Sequence, residues 1–517
     1  MGAAGNRWTR VAPIVLAGSM LVMGCGGGEM KQRRGATVGE RGLAMSLLPS
    51  STSPLVTLRI QFRVGAIDDP AGKEGLNALT ALMIGRGGTR DLTYREVVER
   101  LYPMAASIKA QPDREVTTFI GEVHRDHLKD FYRILADLLL EPRFDEADFE
   151  RNRDLLLAGI EVNLRGNDDE TLGKEALNLM LYDGHPYGRP DIGTVQGLKA
   201  IDLEDVRAHY RKHYTRDAVV LGVAGGYPEG LLDSLQEDFS SLPPKAPPRP
   251  DLPRPKPVEG MEVLIVEKPA QATAISIGHP IAVTRADDDF YPLMVANSYL
   301  GEHRTFNGRL MNVMRGERGL NYGDYSYIES FIQDGRSTFP LANIPRRQQY
   351  FSIWIRPVAH ANALFALRQA VRELKRLVEE GMSGKDFEQT RNFLLNYSSL
   401  WAQTLSRRLG YQMDSQFYGS RSFIAEVRER LPRLTVGEVN AAVRRHLHPD
   451  NLKVAIVTRD AEGLRKKLLS GEPTPIVYQT PTTRADLLKE DEEIQSFPLP
   501  VTEGRVRIVS AQDLFER

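Results

Sequence analysis

Gly75-Leu76-Asn77-Ala78-Leu79-Thr80-Ala81-Leu82-Met83, closed by Gly87-Gly88-Thr89, is the stretch on which the fold turns. Just before it, Val56, Leu58, Ile60, Phe62 and Val64 alternate with Thr57, Arg59, Gln61 and Arg63. A period of two predicts a half-buried strand ending at Gly65. The turn Asp68-Asp69-Pro70-Ala71-Gly72 follows, and a short helix is expected from about Glu74 to Ile84, stopping at Gly85. The helix so framed offers no metal donor. Zinc takes imidazole, thiolate or carboxylate ligands, and Ala78, Ala81 and Leu82 supply only hydrocarbon.

The chain around this stretch has 517 residues, 41% of them hydrophobic, enough for more than one core. Its net charge is −1 with acids and bases interspersed, so the basic stripe of a nucleic-acid binder is missing and no nucleic-acid partner is expected. Cys25 is the single cysteine, which excludes a disulfide framework and a cysteine metal site. Arg7 and Arg10 precede an apolar run from Val11 to Met23, too short to span a bilayer and suited to a signal peptide. Leu21-Val22-Met23-Gly24-Cys25 resembles a bacterial lipobox, cut before Cys25 and lipidated there, although Met23 departs from the usual small or β-branched residue. Residues 1–24 are therefore expected to be a lipoprotein signal peptide and 25–44 a flexible tether beginning Gly26-Gly27-Gly28. Gly26, in place of an aspartate, favours the outer membrane, facing the periplasm or the cell surface, with the lipid as the only membrane contact. The plainer alternative is a secretory signal with an incidental cysteine.

Eight prolines between Pro243 and Pro257 rule out helix or central strand and make 243–258 an extended spacer. The two sides of it are related. Asp148-Phe149-Glu150-Arg151-Asn152-Arg153-Asp154-Leu155-Leu156-Leu157 shares six of ten positions with the run from Asp386 to Leu395. His213 to Asp217 and the apolar stretch after it match His446 to Asp450 and Asn451 to Val457. The offsets, 238 and 233, nearly agree, so two copies of one fold are expected at 45–242 and 259–470. Each mixes strands (115–123; 350–355) with amphipathic helices (from Asp126 and over 146–164; 363–379 and 385–405), an α+β class. Residues 471–517 lie outside the duplication. Pro473, Pro475, Pro481, Pro498 and Pro500 argue for an extended tail without regular structure, lying on the surface.

The opening stretch resembles the insulinase/pitrilysin zinc metallopeptidases, including the mitochondrial processing peptidases. Their pattern is a strand, G-x-x-x-x-P-G-x-x-G-L, then H-x-x-E-H-M and a glycine-threonine turn. Gly65, Pro70, Gly72, Gly75, Leu76, Met83, Gly88 and Thr89 set the register. In that register the first zinc histidine falls on Ala78, the catalytic glutamate on Ala81 and the second histidine on Leu82. The third ligand, a glutamate on a later helix, falls near Gly159 or Glu161. The resemblance covers about residues 45–470 and implies two homologous α/β sandwich lobes arranged as a clam shell around a peptide.

It also gives a meaning to Arg315-Gly316-Glu317-Arg318-Gly319-Leu320-Asn321-Tyr322, preceded by Asn307-Gly308-Arg309-Leu310. This looks like the family's S-R-L-x-x-x-L-R-x-x-x-G-L-x-Y segment, whose arginine and tyrosine donate hydrogen bonds to the scissile carbonyl as it becomes an oxyanion. Arg315 and Tyr322 keep that spacing, and without the flanking match they would read as a solvated helix residue and a half-buried strand residue. Some members place the zinc motif on one chain and the Arg/Tyr pair on another. The resemblance therefore implies the Arg/Tyr chain of such a pair: a non-catalytic subunit inactive alone, with no cofactor of its own, zinc on its partner and a peptide bound between them. Two alternatives stand beside it. One is a lipid-anchored peptide-binding or assembly scaffold with no protease role; the other is a self-sufficient metallopeptidase with atypical ligands.

Other candidates read as structural. His209 and His213 have the i, i+4 spacing of a zinc pair, but His213 has a counterpart in His446, which suggests a shared structural role. His124 and His127 flank Asp126, a suitable N-cap. His185-Pro186-Tyr187-Gly188 matches a family loop, and Asp168-Asp169-Glu170 reads as a solvated acidic turn because EF-hand spacing is missing.

Overall fold

The alternation at 55–64 becomes an interior strand of a seven-stranded sheet. A computed structural model describes residues 32–33, 36–39, 42–249, 251–302, 307–333, 338–480 and 482–517; the expected signal peptide, Cys25 and the start of the tether lie outside them. The first sheet comprises β1 (Gln32–Arg33), β2 (Ala36–Val38), β3 (Ala44–Pro49), β4 (Leu55–Phe62), β5 (Ser107–Pro112), β6 (Thr117–His124) and β7 (Val219–Gly225), in the order β1-β2-β3-β7-β4-β6-β5. The expected tether is corrected here, because β1, β2 and β3 form an antiparallel ladder that leads straight into the sheet.

The second sheet holds β8 (Met261–Glu267), β9 (Thr273–Ile281), β10 (Asp324–Tyr327), β11 (Gln349–Val358), β12 (Leu452–Thr458) and β13 (Val506–Ser510), in the order β10-β11-β9-β12-β8-β13. The duplication is visible in the pairing. β7 runs parallel to β3 and antiparallel to β4, and β12 runs parallel to β8 and antiparallel to β9.

The N lobe carries α1 (Leu76–Arg86), α2 (Tyr94–Leu101), α3 (Leu128–Leu140), α4 (Glu146–Ala158), α5 (Asp169–Leu181), α6 (Val195–Ala200), α7 (Leu203–His213) and α8 (Gly230–Phe239). The C lobe carries α9 (Phe290–Leu300), α10 (Ala363–Glu379), α11 (Gly384–Trp401), α12 (Leu405–Tyr418), α13 (Phe423–Arg430), α14 (Val436–His446), α15 (Ala461–Ser470) and α16 (Ala485–Gln495). The repeated decapeptides open α4 and α11, and α4 continues through a wider π-type winding at Gly159–Asn167. Between the lobes, the described residues of the proline-rich stretch form no helix or strand, and the stretch is pinned by Arg249 to Asp68 and by the Ala246 N–H to Asp217.

The lobes meet face to face by exchanging helices. α5 of the N lobe lies on β9 and β12, where Gly173 approaches Ser276 and Val457, and Leu177 sits over Gly278. α12 of the C lobe lies on β7 and β3, with Met413 over Gly222. This corrects the expectation of a half-buried β4. Val56, Leu58, Ile60 and Phe62 are sealed, but so are Arg59 and Gln61 on the other face, at 7% and 2% exposure. Arg59 reaches Asn343 Oδ1 at 2.5 Å and Ser406 at 3.2 Å, both in the C lobe.

The tail is also corrected. Residues 471–517 contain α16 and β13, and β13 adds to β8 as a parallel edge strand. Pro473 and Pro475 precede α16, and Pro498 and Pro500 fall between α16 and β13, outside the helix and the strand, where a missing N–H costs nothing. No helix among the described residues is long and apolar enough to cross a membrane.

Candidate functional site

The helix at the head of the sequence forms as expected and is firmly capped. Gly75 has φ 106° and lies so close to Ile192 and Leu198 that a Cβ would collide, so only glycine serves there. The buried Asp69 carboxylate accepts the N–H of Gly75 at 2.8 Å and of Asn77 at 2.7 Å, holding the N-terminus of α1. Burial pushes Asp69 up to about 7, against the pull of these two N–H groups. Further along, Asn77 pairs with Thr117 and the Thr80 hydroxyl donates to the Leu76 carbonyl. α1 packs on α4, α7 and β5 of its own lobe, with Asn152 of α4 reaching the Met83 sulfur at 3.5 Å.

Inside this frame Ala78 and Ala81 are sealed and Leu82 is half-buried against the same apolar cluster. Gly159 and Glu161 lie on the π-wound segment, and the Glu161 side chain is 46% exposed with Lys199 4.0 Å away. Among the described residues no three His, Cys, Asp or Glu side chains converge as a metal site would require. Three hydrocarbon side chains cannot ligate zinc, so the residues present at these positions do not fit the ion.

Arg315 and Tyr322 are brought together. Arg315 ends the π-wound turn Met311–Gly316, and Tyr322 stands in the loop before β10. The Arg315 guanidinium carbon lies 4.5 Å from the centroid of the Tyr322 ring, a cation–π contact. Tyr322 is 66% exposed, among the most exposed large aromatic side chains described. From another side Arg356 comes within 5.6 Å of the same ring and donates its Nε to Glu170 Oε2 at 2.9 Å. Glu170 belongs to α5, so the chain Arg315–Tyr322–Arg356–Glu170 runs from the C lobe into the N lobe.

That chain borders a cavity of about 490 Å³ between the lobes, lined in part by Glu170, Lys174, Asp191, Arg346, Trp354 and Arg356. Lys174 Nζ lies 3.9 Å over the Trp354 ring and 2.7 Å from Glu170. Behind it Arg346 pairs with Asp113 at 2.7 Å and with Asp191 at 3.4 Å, while Arg114 Nε lies 3.0 Å from Asp191 Oδ1. That Arg114 N–H is not aligned for a hydrogen bond, so this contact is ionic. Burial raises the Asp191 carboxyl above its ordinary range while the two arginines oppose it. Asp113, Arg114, Asp191 and Arg346 did not stand out in the sequence, because each acquires its ionic partner from more than seventy positions away.

The acidic turn is corrected. Asp168 caps α5 through the Thr171 N–H, Asp169 pairs with Lys268 at 2.5 Å, and Glu170 holds Lys174 and Arg356. His124, not Asp126, caps the turn before α3 by accepting the Asp126 N–H at 3.3 Å. His209 and His213 are buried with ring centroids 4.6 Å apart, and burial pushes both below the usual imidazole range. His446, the repeat counterpart of His213, instead meets Asp289 at 2.6 Å, so the two share position but not partners. His185 Nδ1 accepts the Tyr187 N–H within its own loop.

Two family models match. Residues 45–195 match one described as Insulinase (Peptidase family M16), and residues 200–394 match one described as Peptidase M16 inactive domain. An uncharacterized zinc protease, YmxG, of Bacillus subtilis is 22% identical over 373 residues, covering 72% of this chain and 85% of that protein. A non-peptidase homolog, YmxG, of Helicobacter pylori is 21% identical over 408 residues, covering 78% and 89%. The crystal structure of a peptidase M16 inactive domain from Pseudomonas fluorescens superposes with a TM-score of 0.71 at 20% identity, over 82% of this chain and 97% of that one.

Proposed function

We propose that this chain, which belongs to the insulinase (M16) peptidase family, is a non-catalytic subunit that supplies oxyanion donors to a zinc-bearing homologue. The observation that carries this reading is a contrast between two neighbouring inheritances. The metal helix α1 keeps its caps and packing but presents Ala78, Ala81 and Leu82, whereas Tyr322 stays exposed beside Arg315. Donors of that kind act only where charge develops on a carbonyl, and α1 has no group able to activate water. The nucleophile therefore comes from the partner, and this chain binds the peptide and stabilises the developing oxyanion. In this reading Cys25 carries a lipid that holds the complex at the outer membrane, facing the periplasm.

The test is reconstitution. The purified chain is assayed for bound zinc and for cleavage of an unstructured casein substrate, alone and mixed with a zinc-motif homologue from the same cell. Cleavage only in the mixture supports the reading; stoichiometric zinc with cleavage by the lone chain overturns it. The mutual cover of Arg315 and the Tyr322 ring favours a second reading, because the cation is partly satisfied without substrate. In that reading the chain is a lipid-anchored peptide holder with no protease role. Arg315→Ala with Tyr322→Phe separates the two, since the holder tolerates the double change and the oxyanion donor does not.

A further inference from the structure

The last twelve residues connect the two lobes in a way that the duplication does not require. β13 extends the C-lobe sheet, and the Ala511 N–H then donates to the Glu267 carbonyl at 3.0 Å. Three residues later the chain is inside the other lobe. Leu514 and Phe515 are each 5% exposed and belong to the apolar cluster that the N lobe forms together with residues of β8, β9, β11 and β12. Three successive carbonyls are taken up there. Arg165 Nε donates to Leu514 O at 2.8 Å, the Val195 N–H to Phe515 O at 3.0 Å, and the Gln196 N–H to Glu516 O at 2.9 Å. Arg165 is 3% exposed, and its Nη2 also reaches the Glu516 carboxylate at 3.1 Å. Phe515 adopts φ 60°, a conformation that a phenylalanine takes only where its surroundings hold it.

The structure assigns to the N lobe a peptide-docking site, formed by Arg165, Val195 and Gln196, whose ligand is an apolar pair followed by a carboxylate: the chain's own Leu514-Phe515-Glu516. Docked there, the tail is a staple between lobes. Its effect reaches the metal-helix region from two sides. Arg165 lies on the π-wound segment that also carries Gly159 and Glu161. The stretch Gly193–Gln196 lies between the tail and the start of α1, with the Thr194 N–H on the Glu74 carbonyl at 3.3 Å and Gly193 against Gly75. The site is independent of the proposed protease role.

Hydrogen exchange on the full-length protein tests it. Glu516→Arg changes a side chain that is 40% exposed, so folding is retained while the charge facing Arg165 is reversed. Exchange at Val195 and Gln196 is expected to accelerate by about tenfold or more, with faster exchange across 506–510. In the full-length double variant Leu514→Ser with Phe515→Ser, a synthetic peptide of residues 511–517 is expected to restore that protection, whereas the same peptide carrying both serine changes does not. Unchanged exchange at Val195 and Gln196 in both folded variants, or equal rescue by the two peptides, overturns the assignment.

Discussion

Tyr322 and Asp69, one exposed and one buried, are expected to respond to substitution in different ways. Tyr322 is mostly in solvent, so Tyr322→Phe is expected to move unfolding free energy by no more than ~0.5 kcal/mol. If the pair meets an oxyanion, Arg315→Ala with Tyr322→Phe lowers partner-dependent cleavage by about 10²–10³-fold, read as kcat with KM little altered. Asp69 acts on stability instead. Its carboxyl is pushed up to about 7 in the fold from an ordinary 3.8, so between those values the folded chain holds a proton that the unfolded chain has released. Its contribution is therefore full below pH 3.8, declines as pH rises and levels off above about 7. Asp69→Asn is expected to flatten that limb of the Tm-against-pH profile, and a limb of unchanged slope would assign it to other groups. Ala78, Ala81 and Leu82 could be set against the family's ligand positions from the sequence because Gly75, Met83 and Gly88 fix the register around them. Asp191 and Arg346 were not, because an isolated aspartate or arginine reads as surface until its partner is placed.

Among the elements, β4, α1, α10 and the start of α4 follow from period and capping, which are local properties. β13 does not. Val506, Ile508 and Ser510 are unremarkable until β8 presents an open edge. α5 and α12 were not read as helices from the sequence, and which sheet each covers depends on folding back of the whole chain. Their exchange has a thermodynamic consequence. Leu177 is 1% exposed and sits over Gly278 of the other lobe, so Leu177→Ala is expected to cost ~2–5 kcal/mol. Because the lost contact joins α5 of the N lobe to the C-lobe sheet, calorimetry is expected to show one transition moving down intact. Two separated transitions, one unmoved, would mean that the lobes unfold independently.

For the molecule as a whole, the lobes close on an ionic cluster as well as on exchanged helices. Arg346 and Asp113 are 3% and 1% exposed, and Arg346→Ala leaves a carboxylate buried without its main partner. The expected loss is ~3–5 kcal/mol in urea unfolding, where a loss below ~1 kcal/mol would show that water enters and compensates. The sequence by itself determined the family, the two copies of one α+β unit, the absence of metal donors on α1 and the spacing of Arg315 and Tyr322, because each is a matter of residue type at short range. Only the tertiary structure decided that each lobe covers the other's sheet, that Arg356 and Glu170 link Tyr322 to the cavity between lobes, and that the carboxyl-terminal residues dock on the N lobe. Those features rest on pairs separated by about 100 to 350 positions, and no local pattern of hydropathy or charge encodes which distant surface a segment will bury.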